Sequence, residues 1–91
     1  MHLHGIVREA ALEEFPPGSD RVEMVLKVQG VGAGQPRRIV IPFELLLRDP
    51  DLEPEAVAGH AFQAEVAEAE TGRWLVAEIT FASRRVLRPE G

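Results

Sequence analysis

The sequence predicts a mainly β domain, a five-stranded barrel with a short helical connector between the third and fourth strands. Segments of alternating hydrophobicity recur along the chain, and this period of two gives way to helical signals between residues 43 and 59. At 91 residues the chain has room for one domain, which we place at residues 1–88. Residues 84–91 are predicted to be too short for a further element, with residues 89–91 as a frayed tail.

The first two strands are predicted over roughly residues 2–10 and over residues 21–30. In the first strand, Leu3, Gly5 and Val7 share the face expected to point into the barrel, and Gly5 allows the strand to bend. In the second strand, alternation separates an inner from an outer face. The inner set is Val22, Met24, Leu26 and Val28, and the outer set is Arg21, Glu23, Val25, Lys27 and Gln29.

Breaks lie on both sides of the second strand. Residues 12–20 contain a Pro-Pro-Gly turn signal and are predicted to form a flexible connection, and the glycine-rich residues 30–36 are predicted to form a flexible loop. The third strand is predicted over residues 37–43, with Pro42 at an edge or at the strand's end because proline lacks a backbone donor. Its two faces carry Ile39, Ile41 and Phe43 on one side and Arg38, Val40 and Pro42 on the other.

The connector and the last two strands follow. Pro54 suits the start of a short helical turn, and Gly59 suits a C-terminal cap. A fourth strand around residues 62–66 and a fifth over residues 74–83 are predicted to form a hairpin around a Thr-Gly turn. In the fifth strand one face carries Leu75, Ala77, Ile79 and Phe81, and the other carries Trp74, Val76, Glu78 and Thr80.

The C-terminal stretch GHAFQAEVAEAETGRWLVAEITFASRRVL resembles the final hairpin of small OB-fold domains, which bind oligonucleotides or oligosaccharides. The features in common are a glycine after the helix, a strand with small and apolar inward residues, a polar turn and a longer apolar strand. As topology the resemblance covers nearly the whole chain, and it implies an OB-like Greek-key barrel. It includes no diagnostic motif, and the alternative is another small barrel or roll.

This resemblance implies a ligand face. OB domains that bind single strands use the outer face of the second and third strands and the loops between strands 1–2 and 4–5, with basic and aromatic side chains. Carried over to this chain, the candidates are Arg21, Lys27, Arg37, Arg38, Arg73, Trp74 and Phe15. Glu23 and Val25 interrupt the cationic face. Further acids lie in the two loops, namely Glu13, Glu14, Glu68 and Glu70.

Composition restricts the chemistry. The formal charge of −5 argues against strong non-specific nucleic-acid binding, although a local basic patch could survive it. Absence of cysteine excludes disulfides, thiol nucleophiles and cysteine-ligated metals. No nucleophile elbow or activating base is visible, so we expect a protein that is not an enzyme and uses no cofactor. Frequent proline, and arginine in place of lysine, resemble heat-adapted composition.

No apolar run approaches the roughly 20 residues that span a bilayer, and no export signal is visible, so we expect a cytoplasmic protein. His2 and His4 point the same way on the first strand and are weak candidates for metal binding. Two imidazoles are too few for a site, and the only other histidine is His60. The favoured interpretation is that His2 and His4 face solvent at a strand end.

Two hypotheses about function are left open. The first is a non-enzymatic interaction module that pairs with itself or with a protein partner, because apolar residues lie on nominally outer faces. Those residues are Val25, Val40, Trp74 and Val76. The second is binding of single-stranded DNA or RNA on the outer face of the second and third strands.

Overall fold

The computed structural model describes residues 1–30, 34–70, 72–83 and 85–89. The strands in chain order are β1 (His2–Glu14), β2 (Val22–Gly30), β3 (Arg38–Ile41), β4 (Ala61–Glu68), β5 (Trp74–Phe81) and β6 (Val86–Leu87). Between β3 and β4 lie the helix α1 (Phe43–Leu46) and a single 3₁₀ turn (Pro54–Ala56). The predicted helical connector is confirmed, with Pro54 at the start of the 3₁₀ turn and Gly59 at a positive φ of 84° shortly after its end.

The strands form a closed barrel of five strands. Antiparallel pairs join β1 to β2, β2 to β3, β1 to β4 and β4 to β5. A parallel contact between Val40 of β3 and Leu75 of β5 closes the barrel, and β6 adds to the far side of β5. The predicted mainly β class with five barrel strands is therefore confirmed. Pro42 follows the last residue of β3, so its missing donor interrupts no sheet hydrogen bond.

The core occupies the barrel interior, where Leu3, Val7, Met24 and Leu26 are fully buried. These residues belong to the inward sets that alternation predicted. Val22 is the exception, because it is 39% exposed. The reason is the length of β1, which continues to Glu14 instead of ending near residue 10, so the last part of the β1–β2 hairpin extends beyond the barrel.

Gly5 lies where β1 pairs on both sides, opposite Gly30 of β2 and Phe62 of β4. A Cβ atom at Gly5 would lie 2.1 Å from the backbone oxygen of Gln29 and 2.8 Å from the Cα atom of Gly30. Only glycine allows β2 to approach this closely. Glycine at position 5 is therefore a steric requirement of the close approach between β1 and β2.

The predicted faces of β5 are wrong in its first half. Val76 is buried in the core, whereas Leu75 is only partly buried and Ala77 is exposed. The register between β4 and β5 shifts between Glu65 and Val66, which is the signature of a β-bulge. One extra residue reverses the alternation on one side of the bulge, so Val76 takes the inward place expected for its neighbours.

The C-terminal segment also differs from the prediction. Val86 and Leu87 pair with β5 as a two-residue strand, and Leu87 is fully buried. The prediction that residues 84–91 form no element is therefore wrong. Several predicted features lie outside the described residues: the middle of the glycine-rich loop (31–33), the threonine of the Thr-Gly turn (71), and positions 84, 90 and 91. Among the residues that the structure describes, the helices are too short to cross a bilayer.

Candidate ligand-binding groove

A groove of about 530 Å³ runs along the outside of the barrel over β2 and β3. We call it the outer groove. The described residues that line it are Glu13, Glu14, Phe15, Glu23, Val25, Pro36, Arg37, Arg38, Val40, Gly72, Arg73 and Trp74. Its volume falls in the range of pockets that hold small ligands.

The floor of the groove is apolar and is formed by Val25 and Val40, which face each other across the β2–β3 pair. On either side the sheet continues, with Ala11 of β1 opposite Val25 and Leu75 of β5 beside Val40. The outward orientation predicted for both valines is consistent with their place in the groove. Their expected exposure is wrong, because each is at most 5% exposed. Within this chain they are already largely covered.

Phe15, Arg73 and Glu23 form one wall. The guanidinium carbon of Arg73 lies 3.8 Å from the centroid of the Phe15 ring, within cation–π distance. Arg73 Nη2 also donates a hydrogen bond to Glu23 Oε1. Glu23 is the buried charged residue of the described chain, at 7% exposure. The pair with Arg73 compensates the charge that burial would otherwise leave without water.

The remaining charges around the groove are nearly balanced. Arg38 lies 3.6 Å from a carboxylate oxygen of Glu13. Glu14 Oε1 accepts a 2.6 Å hydrogen bond from the backbone N–H of Gly18 in the β1–β2 loop. Arg37 is exposed and has no ion-pair partner within the described part of the chain. The groove is therefore lined by three arginines and three glutamates. Of the three arginines, Arg37 is the one without an ion-pair partner in the described part of the chain.

The structure brings together five of the seven residues that the sequence suggested for a ligand face, namely Phe15, Arg37, Arg38, Arg73 and Trp74. Arg21 and Lys27 lie elsewhere on the surface. Arg21 is 3.2 Å from Glu44 and 5.4 Å from the Phe43 ring centroid, and Lys27 is 3.3 Å from Glu9.

Sequence reasoning also omitted residues that shape the groove. Pro36 and Gly72 line it directly beside Arg37 and Arg73. The sequence does contain a signal for these two residues, because proline and glycine mark turns, and here each directly precedes an arginine that lines the groove. Trp74 both lines the groove and packs against the core, so it does not stand free on the outer face.

The two N-terminal histidines lie apart from the groove. Their ring centroids are 6.4 Å apart, both side chains are exposed, and His2 Nδ1 lies 2.9 Å from Glu65 Oε1. His60 takes part in the fold through its backbone, as its carbonyl accepts from the N–H of Val7 at 2.9 Å. Over the ranges that the structure describes, no three or more histidine or carboxylate side chains gather as a metal site would require.

Comparison of the chain with models of protein families, with curated proteins and with solved structures finds no significant match.

Proposed function

We propose that this chain is a non-enzymatic interaction module, an OB-type barrel that binds an extended segment of a protein partner in its outer groove. The OB assignment is supported by the order β1-β2-β3-β5-β4 around the barrel and by the short helix between β3 and β4. The observation that carries the binding proposal is an apolar floor beneath a charged rim. Such a combination of apolar area and few polar groups is typical of binding sites.

The charge of the rim favours a polypeptide over a polyanion. Proteins that bind nucleic acid gain most of their affinity from cations that are available to neutralise phosphates. Here Arg38 and Arg73 are already paired with Glu13 and Glu23 of the same groove. A phosphate chain would have to displace these carboxylates and pass beside them. A peptide with an apolar side chain for the floor and one carboxylate for Arg37 requires no such displacement.

The test is selection of random heptapeptides displayed on phage against the immobilised chain. We expect enriched sequences that combine apolar residues with Asp or Glu, and we expect Arg37→Glu to reduce their affinity at least tenfold. Arg88→Glu is the matched control, because Arg88 is also exposed and lies outside the groove. Equal binding by both variants would contradict the groove as the site, and a selection without enrichment would contradict peptide binding.

Single-stranded nucleic acid is the second candidate. It is favoured by the aromatic and cationic wall, since Phe15, Arg73 and Trp74 offer planar groups on which bases stack. Fluorescence anisotropy with a labelled oligothymidine at low salt separates the two candidates. Binding at tens of micromolar that weakens as salt rises and is lost in Arg37→Glu would favour nucleic acid. On the peptide proposal, we expect no binding under these conditions.

A further inference from the structure

Part of β1 has an open edge. On one side β1 pairs with β2 as far as Glu14, but on the other side its pairing with β4 ends at Ile6. Within the described ranges no strand pairs with residues 9–14 on that second side. We call residues 9–14 the β1 edge. Unpaired strand edges are templates for another strand unless something blocks them.

The hydrogen-bonding pattern shows which groups of the β1 edge are free. Phe15 donates its N–H to the carbonyl of Arg21 at 3.0 Å, so at this position the backbone of β1 faces β2. In an antiparallel pair every second residue faces the same way. Glu9, Ala11 and Glu13 therefore bond to β2. The N–H and C=O groups of Ala10, Leu12 and Glu14 point toward the open side.

We propose that a second copy of this chain pairs with the β1 edge, antiparallel and around a two-fold axis that passes beside Ala11. In this register Ala11 faces Ala11 of the other copy, and Ala10 faces Leu12, so the free backbone groups of these residues can exchange hydrogen bonds. The closest pair consists of two alanines, whose small side chains permit the approach. The edge is thus complementary to itself.

Charge supports the same register. Arg8 is exposed and has no ion-pair partner in the described part of the chain. Antiparallel pairing places it at the end of the interface where Glu13 and Glu14 of the other copy lie. Glu9 and Glu13 come to face each other across the interface. Each has a cation from its own chain, Lys27 at 3.3 Å and Arg38 at 3.6 Å, which limits their repulsion.

The inner side of the hairpin supplies apolar surface. Leu12 is 48% exposed and Leu47 is 58% exposed, and together with Val22 and Phe43 they line a shallow pocket of about 170 Å³. Pairing at the β1 edge places Leu12 of each copy opposite Ala10 and diagonal to Leu12 of the other copy, on one face, and removes part of this surface from water. A few such residues beside a short strand pair favour a weak dimer rather than an obligate one.

A cysteine substitution tests the register. The chain has no cysteine, so Ala11→Cys introduces a single thiol at the proposed axis. Cα atoms of a pair without mutual hydrogen bonds lie about 4.5 Å apart, within the range that a disulfide spans. We expect at least tenfold more oxidised dimer than from Ala77→Cys, an exposed alanine on β5. Equal cross-linking of both variants would overturn the proposed register.

Analytical ultracentrifugation tests the dimer itself. We expect the 10.0 kDa chain to show a reversible monomer–dimer equilibrium between about 10 and 500 µM. Ala11→Lys should raise the dissociation constant at least tenfold, because it places two cations opposite each other while its side chain remains exposed in the monomer. A monomer at all concentrations would overturn the proposal. Glu13 and Glu14 belong to both the β1 edge and the outer groove, but Arg37 lies outside the β1 edge, so Arg37→Glu should leave the equilibrium unchanged.

Discussion

Arg73 is the residue that joins the two parts of the outer groove wall, since it contacts both the Phe15 ring and the Glu23 carboxylate. Removing one member of a buried pair leaves a charge without compensation. We expect Arg73→Ala to lower the free energy of unfolding by about 1 to 3 kcal/mol in urea denaturation. The value lies below that of fully buried pairs because a quarter (25%) of the Arg73 side chain is exposed.

Two further variants show how much of the stability loss in Arg73→Ala comes from the buried charge of Glu23. Adding Glu23→Gln to Arg73→Ala should recover part of the lost stability, because it removes the charge that has no partner. Lys27→Ala breaks the exposed pair with Glu9 and should cost less than about 1 kcal/mol. A loss from Arg73→Ala no larger than that from Lys27→Ala would show that burial of Glu23 does not matter.

Gly5 is the second residue whose role follows from a single distance. Its missing Cβ leaves room for the backbone of Gln29, which cannot move without separating β1 from β2. We expect Gly5→Ala to lower the free energy of unfolding by about 1 to 3 kcal/mol, the usual cost of overpacking in a core. The measurement is again urea denaturation.

Gly30, directly opposite Gly5, is the matched control. The three atoms nearest to a Cβ atom there all belong to the Gln35 side chain, and the closest, at 2.1 Å, is its terminal oxygen Oε1. Gly30→Ala should therefore change stability by less than about 1 kcal/mol. If the two alanine variants were equally stable, close strand approach would not explain the glycine at position 5.

At the scale of single elements, the bulge in the β4–β5 hairpin decides which residues of β5 face the core. Val76 is buried and Ala77 is exposed. We expect Ala77→Lys to change the free energy of unfolding by no more than about 0.5 kcal/mol. Val76→Lys should prevent folding, because it buries an unpaired ammonium group. Circular dichroism and thermal melts distinguish these outcomes, and strict alternation along β5 predicts the reverse.

Other elements show how far sequence reasoning reaches. Alternation predicts both β2 and β3, because each has a row of apolar residues at a period of two. The predicted end of β3 is wrong: the strand stops at Ile41, and Phe43, placed by alternation on the face of Ile39 and Ile41, begins α1. The bulge in β5 could not be predicted, since Leu75, Val76 and Ala77 are all apolar and the pattern is compatible with either register. The full length of β1 could not be predicted for a different reason. Acidic residues such as Glu13 and Glu14 are uncommon in strands, so the pattern indicates an earlier end.

The outer groove could be predicted only in part. The resemblance to OB domains makes Arg37, Arg38, Arg73 and Trp74 candidates, because OB domains bind ligands on the outer face of strands 2 and 3 and on the loop between strands 4 and 5. Pairing of Arg73 with Glu23 was not foreseen, because these residues are 50 positions apart and meet only when the barrel closes. Closure of the barrel beside Val40 also explains why Val25 and Val40 form the recessed floor of a groove instead of lying on an open outer face.

At the scale of the whole molecule, the barrel has a thin core that depends on its last residues. A domain of this size has a stability on the order of 5 to 10 kcal/mol. Leu87 of β6 is fully buried beside β5, and Arg85 donates a 2.5 Å hydrogen bond to Asp49 near the helical connector. The C-terminal strand therefore contributes a fully buried leucine to the core beside β5.

Leu87→Ala tests this dependence on the C-terminal strand. We expect a loss of about 2 to 5 kcal/mol in the free energy of unfolding, the usual cost of truncating a buried leucine. That loss is a large share of the total, so the thermal midpoint should fall by about 8 °C or more, at roughly 4 to 8 °C per kcal/mol. Leu47→Ala is the matched control, because Leu47 is 58% exposed and should shift stability by about 0.5 kcal/mol or less. If both variants had the same thermal midpoint, β6 would be a peripheral addition, and the five barrel strands alone would stabilise the fold.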